Sequence, residues 1–148
     1  MIREAKKVEH EVAELLRPVL LRLARDLRRE TEQLGVTSRQ VTLLWLVRDR
    51  PGTSLRGLAE EEGISAPSLS GHVDRLERLG LVERVRSTDD RRMVGLRVTD
   101  EGDRVLRRVR ALRTTWLADR LGGLASHDLD AIAAALPALG RLAGTDTR

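Results

Sequence analysis

Between Ser54 and Thr99 the chain changes its hydrophobic period twice, and that change leaves few architectures open. Leu55, Leu58 and Ala59 keep helical spacing over Leu55–Glu62, with Ser54 at the N-cap position. Gly63 follows, the residue type best able to take a positive φ after a helix end. Ile64 points inward, and Ser65 caps a second helix from Ala66 to Leu79, with Pro67 tolerated in its first turn. Gly80 ends that helix. From Leu81 to Arg86 apolar and polar residues alternate with the period of a half-buried strand. Ser87-Thr88-Asp89-Asp90 is turn chemistry, and Val94 to Val98 returns as a strand with Val94, Leu96 and Val98 on one side. Two helices joined by a short glycine-containing turn, then a hairpin, make a helix-turn-helix carrying a β-wing.

The second of those helices has two separable faces. Leu69, Val73 and Leu76 recur at helical spacing and form the buried stripe. Pro67, Ser68, Gly71, His72 and Arg75 fall on the other side, which is small and polar near its start. A groove floor could come close to it, and Ser68, His72 and Arg75 carry groups that hydrogen-bond base edges or phosphates. Gly71 costs up to about 1 kcal/mol against alanine in a helix interior, so close approach to a partner is a candidate compensation. For this helix alone, a plain helical hairpin with a solvated face is an equal reading. The hairpin shifts the balance. Arg84, Arg86, Arg91, Arg92 and Arg97 stand there against Asp89 and Asp90, with Arg91 and Arg92 at the tip. That shape and charge suit a minor groove or a phosphate backbone.

The stretch LRGLAEEEGISAPSLSGHVDRLERLGLVERV, followed by DRRMVGLRVTDEG, resembles the MarR (multiple antibiotic resistance regulator) family of transcription factors. Asp90, Arg92, Val98 and Thr99 fit that family's wing motif. The similarity extends in order over nearly the whole chain. It implies that Ser65, Pro67, Ser68, Gly71, His72 and Arg75 stand at the major groove, and Arg91 and Arg92 at the wing. Arg84 and Arg86 lie on the strand leading to the tip, and Asp90 would brace one of the arginines by a charge-assisted hydrogen bond. Family members often carry a longer polar or basic residue in place of Gly71, so readout would lean on Ser68, His72 and Arg75 or on DNA shape. The resemblance also implies a cleft for a small aromatic or carboxylate effector. Trp45, Arg17 and Arg22 would offer it one stacking surface and two cations; the plainer alternative is a core tryptophan and solvated arginines.

The flanks are helical. Val8, Val12, Leu15, Val19, Leu23 and Leu27 form a stripe through the first 32 or so residues, which Pro18 is expected to kink or divide. Gly35 breaks the chain before Thr37, which with Gln40 forms a capping box. The run VTLLWLV predicts a central, buried helix with Trp45 as its largest piece, and Thr53 a short strand beside the wing. Thr99 caps a long helix carrying Val105, Val109, Leu112, Trp116, Leu117 and Leu121. After Gly122-Gly123, Ser126 caps a last helix with Leu129, Ile132, Leu136 and Leu139 on its face and a bend at Pro137; residues from Gly144 onward form a frayed tail. The expected class is therefore mainly α with a small β-wing. A winged helix-turn-helix over 37–99 is flanked by dimerisation helices over 1–36 and 100–148. Apolar stripes of this length need covering, and a homodimer covers them while presenting two reading helices to an inverted repeat in double-stranded DNA.

Composition narrows the chemistry. The chain has 148 residues, a formal net charge of +4, two tryptophans and no phenylalanine, tyrosine or cysteine. Absence of cysteine excludes disulfides, thiolate zinc sites and thiol oxidation sensing. His10, His72 and His127 lie on three separate helical segments, and Asp89 and Asp90 sit among arginines, so no metal site, cofactor or catalytic constellation is expected. No apolar run approaches a membrane span and no signal peptide opens the chain, which reads as cytoplasmic. A winged-helix protein-interaction module that binds no operator is the second reading, raised by the acidic run Glu60-Glu61-Glu62.

Overall fold

A computed structural model describes residues 2–145 of the chain. In order, the elements are α1 (Ile2–Arg29), a 3-10 turn (Glu32–Leu34), α2 (Ser38–Asp49), α3 (Leu55–Glu62), α4 (Ala66–Arg78), β1 (Val82–Arg86), β2 (Val94–Val98), α5 (Asp100–Gly122) and α6 (Ser126–Leu142). The fold is mainly helical with one two-stranded antiparallel sheet, as the change of period predicts. The chain divides into two compact units, Met1–Arg113 and Thr114–Arg148, the division falling inside α5.

The first unit holds one apolar core. Its most enclosed members are Leu44 of α2, Val73 and Leu76 of α4 and Leu106 of α5, all with no accessible surface. Leu58 from α3 and Leu96 from β2 complete it. Thr37 and Gln40 form the expected capping box, so α2 starts with two of its orphan N–H groups satisfied. Trp45 is not the centre of that helix: it is only half-buried at the core's rim, where the Arg48 guanidinium stacks over its ring at 5.3 Å. Gly63 ends α3 at φ 61°, the left-handed conformation that makes the turn between the two helices.

The hairpin pairs Val82 with Val98 and Arg86 with Val94. The third strand expected at Thr53 shrinks to a single bridge one residue on, between Ser54 and Gly95. A Cβ at Gly95 would land on the carbonyl oxygen of Gly52, which is why only glycine fits. Val94 does not point inward as the alternation suggests; it is 44% exposed, because the strand has passed the edge of the core there. Thr99 caps α5 by accepting the Gly102 N–H at 3.1 Å. Gly102 in turn lies against the Leu81 carbonyl and the Val98 side chain, docking α5 onto the start of the wing.

Pro18 does not divide the first helix: α1 runs unbroken through it, and α6 runs on through Pro137. Both prolines and the residues four before them, Glu14 and Ala133, are exposed, so water can serve the carbonyls that lose their N–H. Ser126 does not cap α6; Ala125 holds the cap position without a side-chain bond and Ser126 is the first helical residue. In the second unit, the end of α5 carries Trp116, with Arg120 stacked over it at 4.4 Å. α6 leaves Leu129, Ile132 and Leu136 exposed. Of the expected tail, Gly144 and Thr145 close the helix through a Thr145 N–H to Gly140 bond, and 146–148 lie outside the described residues. None of the described helices is long and apolar enough to cross a membrane.

Two alanine substitutions separate packed from open glycines. Gly102→Ala should destabilise the protein by roughly 1–3 kcal/mol in denaturant unfolding, because its Cβ meets backbone that cannot yield. Gly71→Ala, whose Cβ meets nothing within 4 Å, should leave stability equal or raise it by up to about 1 kcal/mol.

Candidate nucleic-acid interface

The outer face of α4 is built from its cap onward. Ser65 caps the helix by accepting the Ser68 N–H at 3.4 Å, and Pro67 occupies the first turn. With Leu69, Val73 and Leu76 turned into the core, Pro67, Ser68, Gly71 and Arg75 are exposed and His72 is half-buried. The space over Gly71 is open, so no neighbour in the first unit demands a glycine there. Arg75 makes no ion pair among the described residues. These sequence-predicted residues thus share one uncovered helical surface.

The wing arginines divide into two groups. Arg84 is engaged internally: its guanidinium meets Asp74 at 2.7 Å and Glu77 at 2.9 Å, both on α4. The Glu77 hydrogen bond, above all, raises its pKa. Arg97 pairs with Glu83 across the sheet at 2.7 Å. Arg84 is therefore a clamp between β1 and α4 rather than an available cation. Arg86, Arg91 and Arg92 are exposed and have no ion-pair partner among the described residues. Together with Arg75 they leave the positive charge of this region at the tip of the wing and on the outer side of α4.

The carboxylates of the tip do different work from that expected. Asp90 does not brace a guanidinium; its side chain accepts the backbone N–H of Arg92 at 2.9 Å, and its carbonyl that of Met93 at 2.9 Å, closing the turn. Asp89, expected as a turn residue lying among the tip arginines, instead reaches back to the helix-turn-helix. It accepts the Ser54 N–H at 3.2 Å and the Ser54 hydroxyl at 2.9 Å, and the Ser87 hydroxyl as well. A link across 35 residues leaves no local spacing signal; the only hint was a serine able to cap and donate at once. The Ser87 and Ser54 hydrogen bonds hold the Asp89 carboxyl at about 2.

Elsewhere the expected sites stay apart. Glu60 pairs with Arg56 at 3.1 Å and Glu61 with Arg50, so the acidic run of α3 is largely answered by its own neighbours. The Arg17 and Arg22 side chains are exposed on α1 and make no hydrogen bond or ion pair among the described residues, while Arg48 stacks over Trp45. No cluster of metal-ligating side chains occurs among the described residues.

A helix-turn-helix with a buried ridge on its second helix, followed by an arginine-tipped hairpin, makes a winged helix-turn-helix. A family model described as the MarR family matches residues 36–94. The chain is 25% identical over 147 residues to the HTH-type transcriptional repressor MdtR of Bacillus subtilis, covering 99% of this chain and 95% of that one. A putative transcriptional regulator of Pseudomonas aeruginosa is 31% identical, with a TM-score of 0.75 over 93% of this chain and 98% of its own. A MepR variant of Staphylococcus aureus, bound to an oligodeoxyribonucleotide, shares the fold at 18% identity, with a TM-score of 0.66 over 86% of this chain and 94% of that one. The chain belongs to the MarR family of transcriptional regulators.

The Asp89 bonds carry a pH dependence of known sign. A carboxyl held below its usual value of about 3.9 contributes stability above about pH 4, and loses it as pH falls through the lowered value. Carboxyl NMR should find Asp89 titrating at about 2, and in Ser87→Ala the midpoint should rise toward the ordinary range. An unmoved midpoint would mean that Ser87 does not hold the carboxylate.

Proposed function

We propose that the protein is a homodimeric, cytoplasmic repressor that reads a palindromic operator, with Ala66–Arg78 in the major groove and the hairpin tip at the minor groove. One observation carries the reading. The carboxylates of the region are taken up by Arg84, Arg97 and the turn itself, while Arg75, Arg86, Arg91 and Arg92 are left unanswered on one uncovered helix face, the end of β1 and the loop tip. Ser65, Pro67, Ser68, Gly71 and His72 would line the groove contact with Arg75, the open space over Gly71 admitting the edge of the bases. The oligonucleotide-bound MepR variant of the same fold supports this mode.

Dimerisation is supported by what the helices leave uncovered. On α1, Leu15 is 75% and Leu21 62% exposed; on α6, Leu136 is 52% exposed. Stripes of this kind at both ends of the chain fit pairing through the 1–36 and 100–148 segments. The two reading helices would then address half-sites about 10 bp apart. An anionic effector, such as a small aromatic carboxylate, would release the operator by favouring another spacing of those helices. Its support is Arg113, whose Nε is shielded from water with no acceptor and whose pKa is lowered by burial and by the nearby Arg28. Arg17, Arg22 and Trp45 lack comparable support.

Footprinting with the purified protein should show a protected symmetric site, weakened by salt. Arg92→Ala should weaken binding by about 1–3 kcal/mol, and Gly71→Ala should weaken it while leaving the fold at least as stable. Sedimentation should give a dimer, and Leu15→Glu with Leu136→Glu should shift it toward monomer. A protein that binds no symmetric site and instead holds another protein would be an interaction module.

A further inference from the structure

The position of the wing is set at its root, where the loop turns away from the sheet. The geometry points to Asp89 as the residue that fixes where Arg91 and Arg92 stand relative to α4, without touching DNA itself. This inference rests on the operator-binding reading above. The wing has only two strands, and an isolated two-stranded hairpin holds its own shape poorly in water. Something outside the hairpin must therefore hold its tip.

Three contacts do so. The Thr88 N–H donates to the Gly52 carbonyl at 2.9 Å. The Gly52 N–H donates to the Leu96 carbonyl at 2.7 Å, tying the same segment to the other strand. The Asp89 carboxylate takes both the N–H and the hydroxyl of Ser54. Ser54 is itself the N-cap of α3, accepting the Gly57 N–H at 3.1 Å, so the loop is tied to the first helix of the helix-turn-helix. A carboxylate beside a helix start also meets the favourable end of the helix dipole. Beyond Asp89 the chain closes at once through the Asp90 bonds to the Arg92 and Met93 amides. Arg91 and Arg92 therefore leave a closed turn whose charged tie to the helix-turn-helix is Asp89. Reading of minor-groove width by inserted arginines requires such a fixed origin, because a tethered but wandering guanidinium finds phosphates anywhere.

The test is a double-mutant cycle on the footprinted operator, with Asp89→Ala, Arg92→Ala and the pair, alongside amide hydrogen exchange of the unbound protein. Asp89→Ala should cost about tenfold in affinity, and most of that loss should vanish when Arg92 is already alanine. Exchange at the Arg92 and Met93 amides should quicken while amides of the core helices keep their protection. Asp89→Asn, which keeps one acceptor oxygen and the side chain's shape, should recover part of the affinity. It also serves as the second variant if alanine impairs folding. Additive losses, or unchanged binding and exchange in Asp89→Asn and Asp89→Ala alike, would overturn the assignment. If the wild-type protein protects no site, or Arg92→Ala binds as tightly as wild type, the operator reading has failed and this inference falls with it. Intact wild-type binding with an uncoupled Asp89 removes the anchor alone.

Discussion

The inward ridge of α4 decides everything that faces outward. Leu69, Val73 and Leu76 are sunk in the core to 1% exposure or less, on a helix packed against α2, α3 and β1. Once they are buried, the rotation of α4 about its axis is no longer adjustable. A shift of one residue would turn the helix by about 100° and bring polar groups into the core at several kcal/mol each. Ser68, Gly71 and Arg75 are thus presented by exclusion.

Charge is sorted rather than merely supplied. A net charge of +4 on 148 residues is modest, and averaged over the surface it would recognise nothing. Arg84 and Arg97 sit at the base of the hairpin with acidic partners within 3 Å, where they fasten β1 to α4 and β1 to β2. Exposed pairs of this kind contribute little stability individually. Their larger effect is to remove positive charge from the root of the wing and to leave the field concentrated at its tip and along one side of α4.

Local signals were legible and long-range ones were not. The capping box at Thr37 and Gln40, the left-handed Gly63, the caps at Ser54, Ser65 and Thr99 and the α4 stripe are all written within four residues of where they act. Period and spacing therefore located most elements to within a residue or two, although α1 ends at Arg29 rather than near 32 and a 3-10 turn follows it. What escaped was decided by partners far along the chain. Val94 and Leu96 follow the same alternation, yet only Leu96 is buried, at 1% exposure against 44%. Gly95 and Gly102 look like ordinary glycines until Gly52 and Leu81 are brought against them. The two acidic residues at the tip were indistinguishable as neighbours; folding assigned one to the turn and the other to Ser54. Pro18 misled only where it promised a break, since solvent serves the carbonyl that a buried helix would have left unpaired.

The placement of the two tryptophans gives the molecule built-in optical reporters. With no tyrosine or phenylalanine present, ultraviolet emission comes only from Trp45 and Trp116. One belongs to the winged-helix unit and the other to the C-terminal unit, and each ring lies under its own arginine. Replacing either indole with an aliphatic side chain leaves a single chromophore. Changes in its spectrum can then be assigned to one half of the protein without any attached dye.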